Sequence, residues 1–357
     1  MAGFYPLTVA GIHRETADSV VVSLAVPDGL AAEFRFIQGQ YLTFRAIIDG
    51  AEVRRSYSIC ACVDEPLLRV GIKKTPGGVF SSWANTILQP GEQLEAMPPM
   101  GNFHVPLDPA RRRHYAGFAA GSGITPLLSI IKTTLIKEPL SSFSLIFGNR
   151  TSSTIMFREE LEALKNEHME RFSLTYILSR EEQDVELFNG RIDKEKCRKL
   201  FRCWLDAETL DAAFVCGPQS MMREVAEALG EQGFDQRKIK FELFINAEAG
   251  RKEIPARAEV SARADLCRVT VVLDGRTRSF DLEKNAATVL DAALEEGIEA
   301  PYACKAGVCS TCRAMLVGGQ VTMDANYALD EYETARGYIL TCQSHPVTDR
   351  IVVDYDQ

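Results

Sequence analysis

Four cysteines near the end of the chain constrain its fold more than any other feature. Three lie in Cys304-Lys-Ala-Gly-Val-Cys309-Ser-Thr-Cys312, and the fourth follows in Thr-Cys342-Gln. The spacing C-x4-C-x2-C with a distant fourth cysteine is typical of a [2Fe–2S] cluster site. One tight loop can supply three thiolates, because Gly307 allows it to fold closely with backbone N–H groups aimed at the sulfurs. We therefore predict that Cys304, Cys309, Cys312 and Cys342 hold such a cluster.

Other uses of these cysteines fit the sequence less well. Structural zinc sites usually take their ligands as two short pairs, which this segment lacks. A c-type haem would require His directly after Cys312, where Arg313 stands. We interpret the remaining cysteines as small buried side chains kept reduced: Cys60, Cys62, Cys197, Cys203, Cys216 and Cys267.

Length and charge set broad limits on the protein. A chain of 357 residues predicts two or three domains. The net charge of −9 argues against a nucleic-acid partner. The start lacks the layout of a secretory signal, and the most apolar stretch, 115–131, contains Gly, Ser, Thr and Pro, so we expect a cytoplasmic protein without a membrane partner. Residues 266–357 carry 8 Lys and Arg against 14 Asp and Glu, an acidic excess that suits either solubility or a basic partner.

Two patterns divide the chain before the cysteines. Residues 1–107 contain short β-runs at 19–26, 41–48 and 67–72, separated by turn residues, which predicts an antiparallel β-barrel domain. Residues 108–245 alternate strands with helices, which predicts an α/β domain with a parallel sheet.

The last part of the chain contains a linker and a smaller domain. Residues 246–265 show no apolar periodicity and are predicted to be the linker. Residues 266–357 open with a hairpin around Asp274-Gly275, followed by a helix from Thr288 that stops near Gly297.

Two motifs in the barrel segment suit a flavin. A flavin needs an aromatic face, a hydroxyl donor near its ring and a cation for its pyrophosphate, and Arg55-x-Tyr57-Ser58 offers all three. The run Gly77-Gly78-Val79-Phe80-Ser81 forms a Gly-rich turn into a helix, which suits phosphate oxygens. Either motif alone could belong to an ordinary barrel. Together, in this order and ahead of a nucleotide-binding segment, the two motifs resemble those of the ferredoxin–NADP reductase superfamily, and this resemblance implies a flavin, FAD in preference to FMN.

A further motif suits a nicotinamide dinucleotide. Gly121-Ser-Gly123-Ile-Thr125-Pro follows a strand and opens a helix, so its glycines allow a pyrophosphate to approach the helix N-terminus. NAD sites hold the ribose 2′-OH with an acidic residue, whereas NADP sites offer Arg to the 2′-phosphate. Arg150, Ser179 and Arg180 lie at strand ends and favour NADPH, although both arginines could simply be solvated.

The order of these motifs resembles the ferredoxin–NADP reductase superfamily. Within it the chain is similar to oxygenase reductases with a C-terminal plant-type ferredoxin domain. The resemblance implies a multidomain protein that ends in an α+β domain of the β-grasp type. It implies further that Ser58, Thr125 and Cys216 lie at the reacting rings, with Cys216 a neighbour of the nicotinamide and not a nucleophile. Gly217-Pro218 matches the second nicotinamide loop, and Phe244 of Glu242-Leu-Phe244 either covers the flavin or belongs to the core.

The resemblance also implies an electron path from NADPH through FAD and the cluster to a separate oxygenase, here a multi-subunit di-iron epoxidase. The sequence contains no Glu-x-x-His pair for a di-iron site and no Cys-x-His for a Rieske centre. We therefore expect the chain to deliver electrons and not to oxidise the final substrate. A reductase of small acceptors and a non-catalytic redox sensor remain the alternatives.

Overall fold

The computed structural model describes residues 3–244, 266–284 and 286–357. The described residues form two compact units: one contains Phe4–Val53 with Tyr57–Phe244, and the other contains the residues after 265 together with Gly3 and Arg54–Ser56. The predicted linker, 246–265, lies outside the described residues. In the described ranges, no helix is long and apolar enough to cross a membrane.

The first unit begins with a six-stranded antiparallel sheet. Its elements are β1 (Tyr5–Thr16), β2 (Ser19–Ala25), β3 (Tyr41–Ile48), β4 (Ala51–Ser58), β5 (Leu68–Lys73), α1 (Val79–Thr86) and β6 (Gln93–Ala96). The strand order is β4-β3-β6-β1-β2-β5, and a bridge between Ile59 and Val70 joins the two ends of that order. The sheet therefore closes on itself, which confirms the predicted barrel.

The same unit continues with an α/β layer. Its elements are β7 (His114–Ala120), α2 (Ile124–Lys137), β8 (Ser142–Asn149), α3 (Arg158–Glu167), β9 (Phe172–Leu178), α4 (Lys194–Cys203), β10 (Ala212–Cys216), α5 (Gln219–Glu231) and β11 (Ile239–Glu242). All pairings are parallel, in the order β11-β10-β7-β8-β9. The order reverses beside β7, so the turns after β7 and β10 lie side by side. In parallel sheets this reversal point is where ligands bind.

Barrel and α/β layer share a hydrophobic core. Strand β2 is buried on both faces, because Val20 and Val22 point into the barrel while Val21 packs with the α/β layer. Cys60 and Phe103 join the same shared cluster. The predicted division at residue 107 thus falls within one compact unit and stays a prediction.

The second unit is a mixed sheet crossed by a helix. Its elements are β12 (Leu266–Leu273), β13 (Arg276–Glu283), α6 (Val289–Glu295), β14 (Arg313–Gly318), β15 (Val321–Met323), α7 (Glu331–Ala335), β16 (Tyr338–Leu340), β17 (Ser344–Pro346) and β18 (Arg350–Asp354). The main order is β13-β12-β18-β14-β16, with β12 and β18 parallel. Helix α6 packs on this sheet through Val289, Ala292 and Ala293. The arrangement agrees with the predicted β-grasp ferredoxin domain.

The predicted hairpin turn and the predicted ends of helix α6 are both present in this unit. Asp274 and Gly275 have φ angles of 54° and 69°, as a tight hairpin turn requires. The Thr288 hydroxyl caps α6 by accepting from the Asp291 N–H at 3.1 Å, and Gly297 ends that helix with φ 68°.

An aromatic cluster joins the strands of the α/β layer, which generates a stability prediction. The Phe214 ring stacks on Phe143 at 6.2 Å and meets Phe103 edge-on at 5.6 Å. Phe214→Ala should therefore lower the free energy of unfolding of this unit by about 3–5 kcal/mol, measured by urea denaturation. Ile47→Ala is the control, because Ile47 is 68% exposed and should change stability by less than about 0.5 kcal/mol. Equal effects of the two substitutions would contradict this assignment of the core.

Candidate cofactor and electron-transfer site

The cysteine loop between α6 and β14 is wound so that its peptides face its sulfurs. The Ala306 N–H donates to Cys304 Sγ at 3.3 Å, and the Cys304 N–H donates to Cys309 Sγ at 3.4 Å. Gly307 has φ 74°, and a Cβ there would lie 2.9 Å from the Ala325 carbonyl oxygen. Only glycine fits this position without a shift, as the sequence predicted.

The four cysteine side chains form two pairs. Cys304 interacts with Cys309, and Cys312 interacts with Cys342. The hydrogen bond with Cys309, with further bonds from loop peptides, lowers the pKa of Cys304 to about 6. The bond with Cys312 likewise lowers the pKa of Cys342. In each pair one cysteine is therefore more acidic than an ordinary thiol.

This pairing tests whether the residues fit a two-iron cluster. In the part of the chain that the structure describes, no three His, Cys, Asp or Glu side chains converge closely enough to hold a single metal ion. The two pairs, Cys304 with Cys309 and Cys312 with Cys342, suit two irons that each take two thiolates. The donor set therefore fits a [2Fe–2S] cluster.

Hydrogen bonds tie the fourth cysteine to the loop. Gln343 Nε2 donates to the Lys305 carbonyl at 3.1 Å and to the Cys342 carbonyl at 2.8 Å. On the other side, Thr341 Oγ1 donates to the Cys312 carbonyl at 3.0 Å, with Tyr355 OH 2.8 Å from that hydroxyl. The cysteine spacing did not indicate these contacts, because the bonds to Cys312 and Lys305 join segments that lie 29 and 38 residues apart in the sequence.

At the end of β4, the predicted flavin residues differ in exposure. The Tyr57 ring is partly buried and packs on Phe80 at 5.5 Å. Phe80 itself is fully buried and also contacts Phe44 and Trp83. Its side chain therefore supports Tyr57 from within the barrel, and only its backbone can face a cofactor. Arg55 is partly buried, with Nη1 donating to the Arg54 carbonyl at 2.8 Å.

Hydrogen bonds of the Ser81 hydroxyl hold the Gly-rich turn before α1 in place. Ser81 Oγ accepts from the Thr75 N–H and donates to the Gly78 carbonyl, both at 3.2 Å. A Cβ on Gly78 would lie 2.2 Å from Thr75 Oγ1, so glycine is required there. Among the described residues no side chain caps α1, and Val79 at its first position is exposed. The first N–H groups of α1 are thus available to phosphate oxygens.

The Gly-rich turn after β7 packs directly on the end of β10. Gly121 has φ 56°, and a Cβ on Gly123 would lie 2.2 Å from the Cys216 carbonyl oxygen. Thr125 follows at the start of α2, buried, with Oγ1 donating to the Ser122 carbonyl at 3.0 Å. Cys216 is fully buried, and its neighbour across the parallel pair β10–β11 is Glu242.

Glu242 connects this turn to the flavin segment. Ser58 Oγ donates to Glu242 Oε2 at 2.8 Å, across 184 positions of sequence. The structure therefore joins Ser58, Glu242, Cys216 and Gly123 in one continuous set of contacts. We predicted Ser58, Cys216 and Gly123 as site residues but not Glu242, whose one signal was the motif Glu242-Leu-Phe244.

Burial keeps the central acids of this set neutral. It raises the pKa of Glu242 to about 8, against the opposing hydrogen bond from Ser58. Burial also raises the pKa of the Cys216 thiol well above its usual value, and the Glu242 charge adds to that rise. At neutral pH Cys216 is therefore a thiol, in agreement with a role other than nucleophile.

The predicted 2′-phosphate residues lie together at the ends of β8 and β9. The Arg180 N–H donates to the Arg150 carbonyl at 2.8 Å, and Ser179 Oγ donates to the Asn149 carbonyl at 3.3 Å. Both arginine side chains are exposed. The neighbouring Glu181 carboxylate accepts from the Ser152 N–H and hydroxyl at 2.8 and 2.9 Å.

The remaining predicted residues lie around the β10 end. A Cβ on Gly217 would lie 2.6 Å from Met221 Cε, so the backbone is close-packed there, and Pro218 is exposed at the start of α5. Phe244 is 45% exposed, which argues against a core role.

Three protein-family models match the chain in the predicted order. They are described as "Oxidoreductase FAD-binding domain" over residues 6–105, "Oxidoreductase NAD-binding domain" over 118–227 and "2Fe-2S iron-sulfur cluster binding domain" over 271–347. The chain belongs to the family of oxygenase reductases that combine these three domains. It is thus an oxidoreductase, the reductase component of an oxygenase system with FAD and a 2Fe-2S cluster.

Individual relatives cover the full length. The chain is 43% identical to one of the subunits of 1,2-phenylacetyl-CoA epoxidase of Escherichia coli (strain K12), over 100% of this chain and 99% of that protein. It is 32% identical to the ferredoxin reductase component of 3-ketosteroid-9-alpha-monooxygenase of Rhodococcus rhodochrous, over 98% and 96% of the two chains. The solved structure of phthalate dioxygenase reductase shares the fold, with a TM-score of 0.60 at 22% identity over 99% and 98%.

The raised pKa of Glu242 predicts a pH dependence of stability. Between the ordinary carboxyl pKa of 4.5 and about 8, folded Glu242 keeps a proton that the unfolded chain has lost. Its contribution to stability is therefore full at low pH and is lost as pH rises through this window. Thermal unfolding of Glu242→Gln from pH 5 to pH 9 should lack this component of the wild-type decline. Glu208→Gln, at an exposed carboxylate, is the control, and its stability should change with pH as that of the wild type does. If the stability of Glu242→Gln also declined with pH in parallel with the wild type, the raised pKa of Glu242 would be contradicted.

Proposed function

We propose that this protein takes electrons from NADPH and delivers them singly to a separate oxygenase, through FAD and a [2Fe–2S] cluster held by Cys304, Cys309, Cys312 and Cys342. The observation that carries the proposal is the continuous contact of Ser58, Glu242 and Cys216 at the reversal point of the parallel sheet. A flavin at this point supplies the conversion of a two-electron hydride into single electrons, which a one-electron cluster requires.

Residues of the barrel hold FAD in this proposal. Tyr57 lies beside the ring, Arg55 binds the pyrophosphate, and the backbone of Gly78, Val79, Phe80 and Ser81 binds phosphate oxygens. Phe80 acts from the core by holding the Tyr57 ring in place.

Ser58 and Glu242 control one proton at the flavin ring. In the structure Ser58 Oγ donates to Glu242 Oε2. A protonated Glu242 would allow this hydrogen bond to reverse, so that its own O–H donates to Ser58 Oγ and the Ser58 hydroxyl hydrogen is free for the ring. The raised pKa of Glu242 keeps that carboxyl protonated at neutral pH. An ionised Glu242 would instead engage the hydroxyl hydrogen. Phe244, exposed just beyond Glu242, is placed to cover the flavin.

The turns after β7 and β10 bind the dinucleotide. Gly121 and Gly123 let the pyrophosphate approach the turn at the start of α2. Thr125 and Cys216 line the nicotinamide position, with Gly217 and Pro218 as its second loop. The neutral, buried Cys216 thiol excludes water there without competing for the hydride.

Charge at the strand ends supports NADPH as the donor. The guanidinium groups of Arg150 and Arg180 are exposed, and neither hydrogen-bonds to another described residue. Ser179 directly precedes Arg180 at the end of β9 and hydrogen-bonds to the Asn149 carbonyl. Glu181, the acid that would favour NADH, is already occupied by the Ser152 N–H and hydroxyl.

The partner in this proposal is the oxygenase of a phenylacetyl-CoA epoxidase, a multi-subunit di-iron enzyme, which places the chain in phenylacetate catabolism. The support is 43% identity over the whole chain to one of the subunits of that epoxidase. We propose the cytoplasm as the location, because NADPH and ten unpaired cysteines suit a reducing compartment. The boundaries 1–107, 108–245 and 266–357 are proposed for the three domains.

The donor preference can be tested at Arg180. A charge-assisted hydrogen bond to the 2′-phosphate contributes about 1.5–3 kcal/mol, so Arg180→Ala should lower kcat/KM for NADPH by about 10- to 150-fold and leave NADH nearly unchanged. Arg237→Ala is the matched control, since Arg237 is 88% exposed and precedes β11 at the opposite edge of the sheet. Wild-type protein with equal kcat/KM for both dinucleotides would defeat the preference for NADPH.

The electron path can be tested at Cys309. Cys309→Ser should remove the cluster and spare the flavin, because Tyr57, Ser58 and the Gly-rich turn before α1 belong to a different compact unit from Cys309. Ferricyanide reduction by NADPH should then survive, while substrate oxidation by the reconstituted epoxidase should be lost. Cys267→Ser, a buried cysteine of the same unit outside the motif, controls for general damage.

Two other results would redirect the proposal. Loss of both activities with flavin still bound would contradict a linear path from NADPH through flavin to cluster. Retained substrate oxidation after cluster loss would make the C-terminal unit a docking module.

A further inference from the structure

Barrel strand β5 packs closely against the start of α2 and the turn before α3. An ideal Cβ on Gly71 would lie 2.7 Å from Thr125 Cγ2, 3.0 Å from Phe157 Cζ and 3.2 Å from Met156 Cε. Gly71 does not have a positive φ, so its backbone conformation is open to any residue. Space alone therefore demands glycine here. The absent side chain lets Thr125 approach the barrel wall.

A cluster of four charges holds the same two layers together. Arg69 Nη1 and Nη2 donate to the two oxygens of Glu160 at 3.1 and 3.0 Å, and Nη1 also lies 3.3 Å from Glu65. Lys132 Nζ contacts Glu160 at 2.6 Å and also contacts Glu65. We call these four residues the clamp. Arg69 and Glu65 belong to the barrel side, Lys132 to α2 and Glu160 to α3.

The clamp is partly shielded from water, unlike a neighbouring ion pair. Its side chains are only 12–26% exposed, with Lys132 the least at 12%. Lys137 on the same helix pairs with Asp64 at 2.7 Å, but these side chains are 44% and 53% exposed. Exposed ion pairs contribute little to stability. Ion pairs that are shielded from water and joined by several hydrogen bonds hold the segments that carry them in a fixed arrangement.

The clamp and Gly71 both determine how helix α2 packs against strand β5. Arg69 and Gly71 are two residues apart on β5, so they face the same side of the strand. Lys132 lies seven residues beyond Thr125 on α2, roughly 10 Å along the helix axis. The clamp therefore fixes the middle of α2 against the barrel while Gly71 sets how closely its first turn approaches.

We propose that Gly71 and the clamp set the distance between the flavin site of the barrel and the Thr125 turn, which makes Gly71 and Lys132 positioning residues for hydride transfer. The inference rests on the proposed function, because it takes the nicotinamide to lie at that turn. Hydride transfer needs reacting atoms about 3–3.5 Å apart, and a displacement of about 1 Å can cost about 100-fold in rate.

Gly71→Ala tests the spacing. In stopped-flow reduction of the purified holoprotein by NADPH, the limiting rate of flavin reduction should fall about 10- to 100-fold. Flavin content should be unchanged, and the Kd for NADP⁺ should change less than about 3-fold by calorimetry, since only the approach of the layers is altered. Gly11→Ala is the matched control, because nothing lies within 4 Å of a Cβ there.

A second substitution places the clash at Thr125. Thr125→Ser removes Cγ2 and keeps the hydroxyl, so adding it to Gly71→Ala should recover a large part of the lost rate. The same pair should be coupled in thermal unfolding of the full-length protein, with the double variant more stable than the sum of the single changes predicts. Thermal unfolding therefore measures the contact between residues 71 and 125 independently of catalytic activity.

Lys132→Met tests the clamp, with Lys137→Met as its control on the same helix. Lys132→Met should lower the limiting rate about 3- to 10-fold without weakening NADP⁺ binding, whereas Lys137→Met should leave both unchanged. This pair decides the question if Gly71→Ala does not fold.

The inference is overturned if Gly71→Ala folds with flavin and is reduced at the wild-type rate, if the two lysine variants behave alike, or if NADP⁺ affinity falls while the limiting rate does not. If NADPH cannot reduce the flavin of the wild-type protein, the proposed function itself is overturned.

Discussion

The packing of Gly123 against Cys216 is the contact on which the rest of the site depends. A side chain at residue 123 would lie 2.2 Å from the Cys216 carbonyl oxygen, so the turn after β7 can meet the end of β10 only through glycine. That contact places the turn that leads into Thr125 against the end of β10, at the point where the strand order reverses. From Cys216 the parallel register leads to Glu242, and Glu242 reaches Ser58 in the barrel.

The pKa values of Glu242 and Cys304, one in each candidate site, are shifted in opposite directions. Around Cys216 and Glu242, burial favours neutral acids, and the hydroxyl of Ser58 only partly opposes this effect on Glu242. In the cysteine loop, peptide N–H groups face Cys304 Sγ and favour the thiolate in spite of burial. The first environment suits transfer of hydride and proton, and the second suits a cluster held by negatively charged ligands.

Much of the fold and part of the site could be predicted from sequence, because their signals are local. The cysteine spacing, the hairpin at Asp274-Gly275 and the alternation of strands and helices each depend on neighbouring residues. Contacts between distant segments carry no such signal. The bond from Ser58 to Glu242 and the approach of Thr125 to Gly71 arise only when barrel and parallel sheet pack together. Phe80 shows the same limit, since its motif indicated a cofactor residue but the barrel core takes up its ring.

The distribution of hydrophobic cores has a consequence for how such chains change over generations. Val21, Cys60 and Phe103 of the barrel segment share one core with the parallel sheet, so a substitution on one side must be accommodated by the other. The cysteine-bearing unit has cores built from its own residues. Substitutions in the cores of the barrel and the parallel sheet are therefore coupled to one another, whereas a substitution in a core of the C-terminal unit must be accommodated by that unit's own residues.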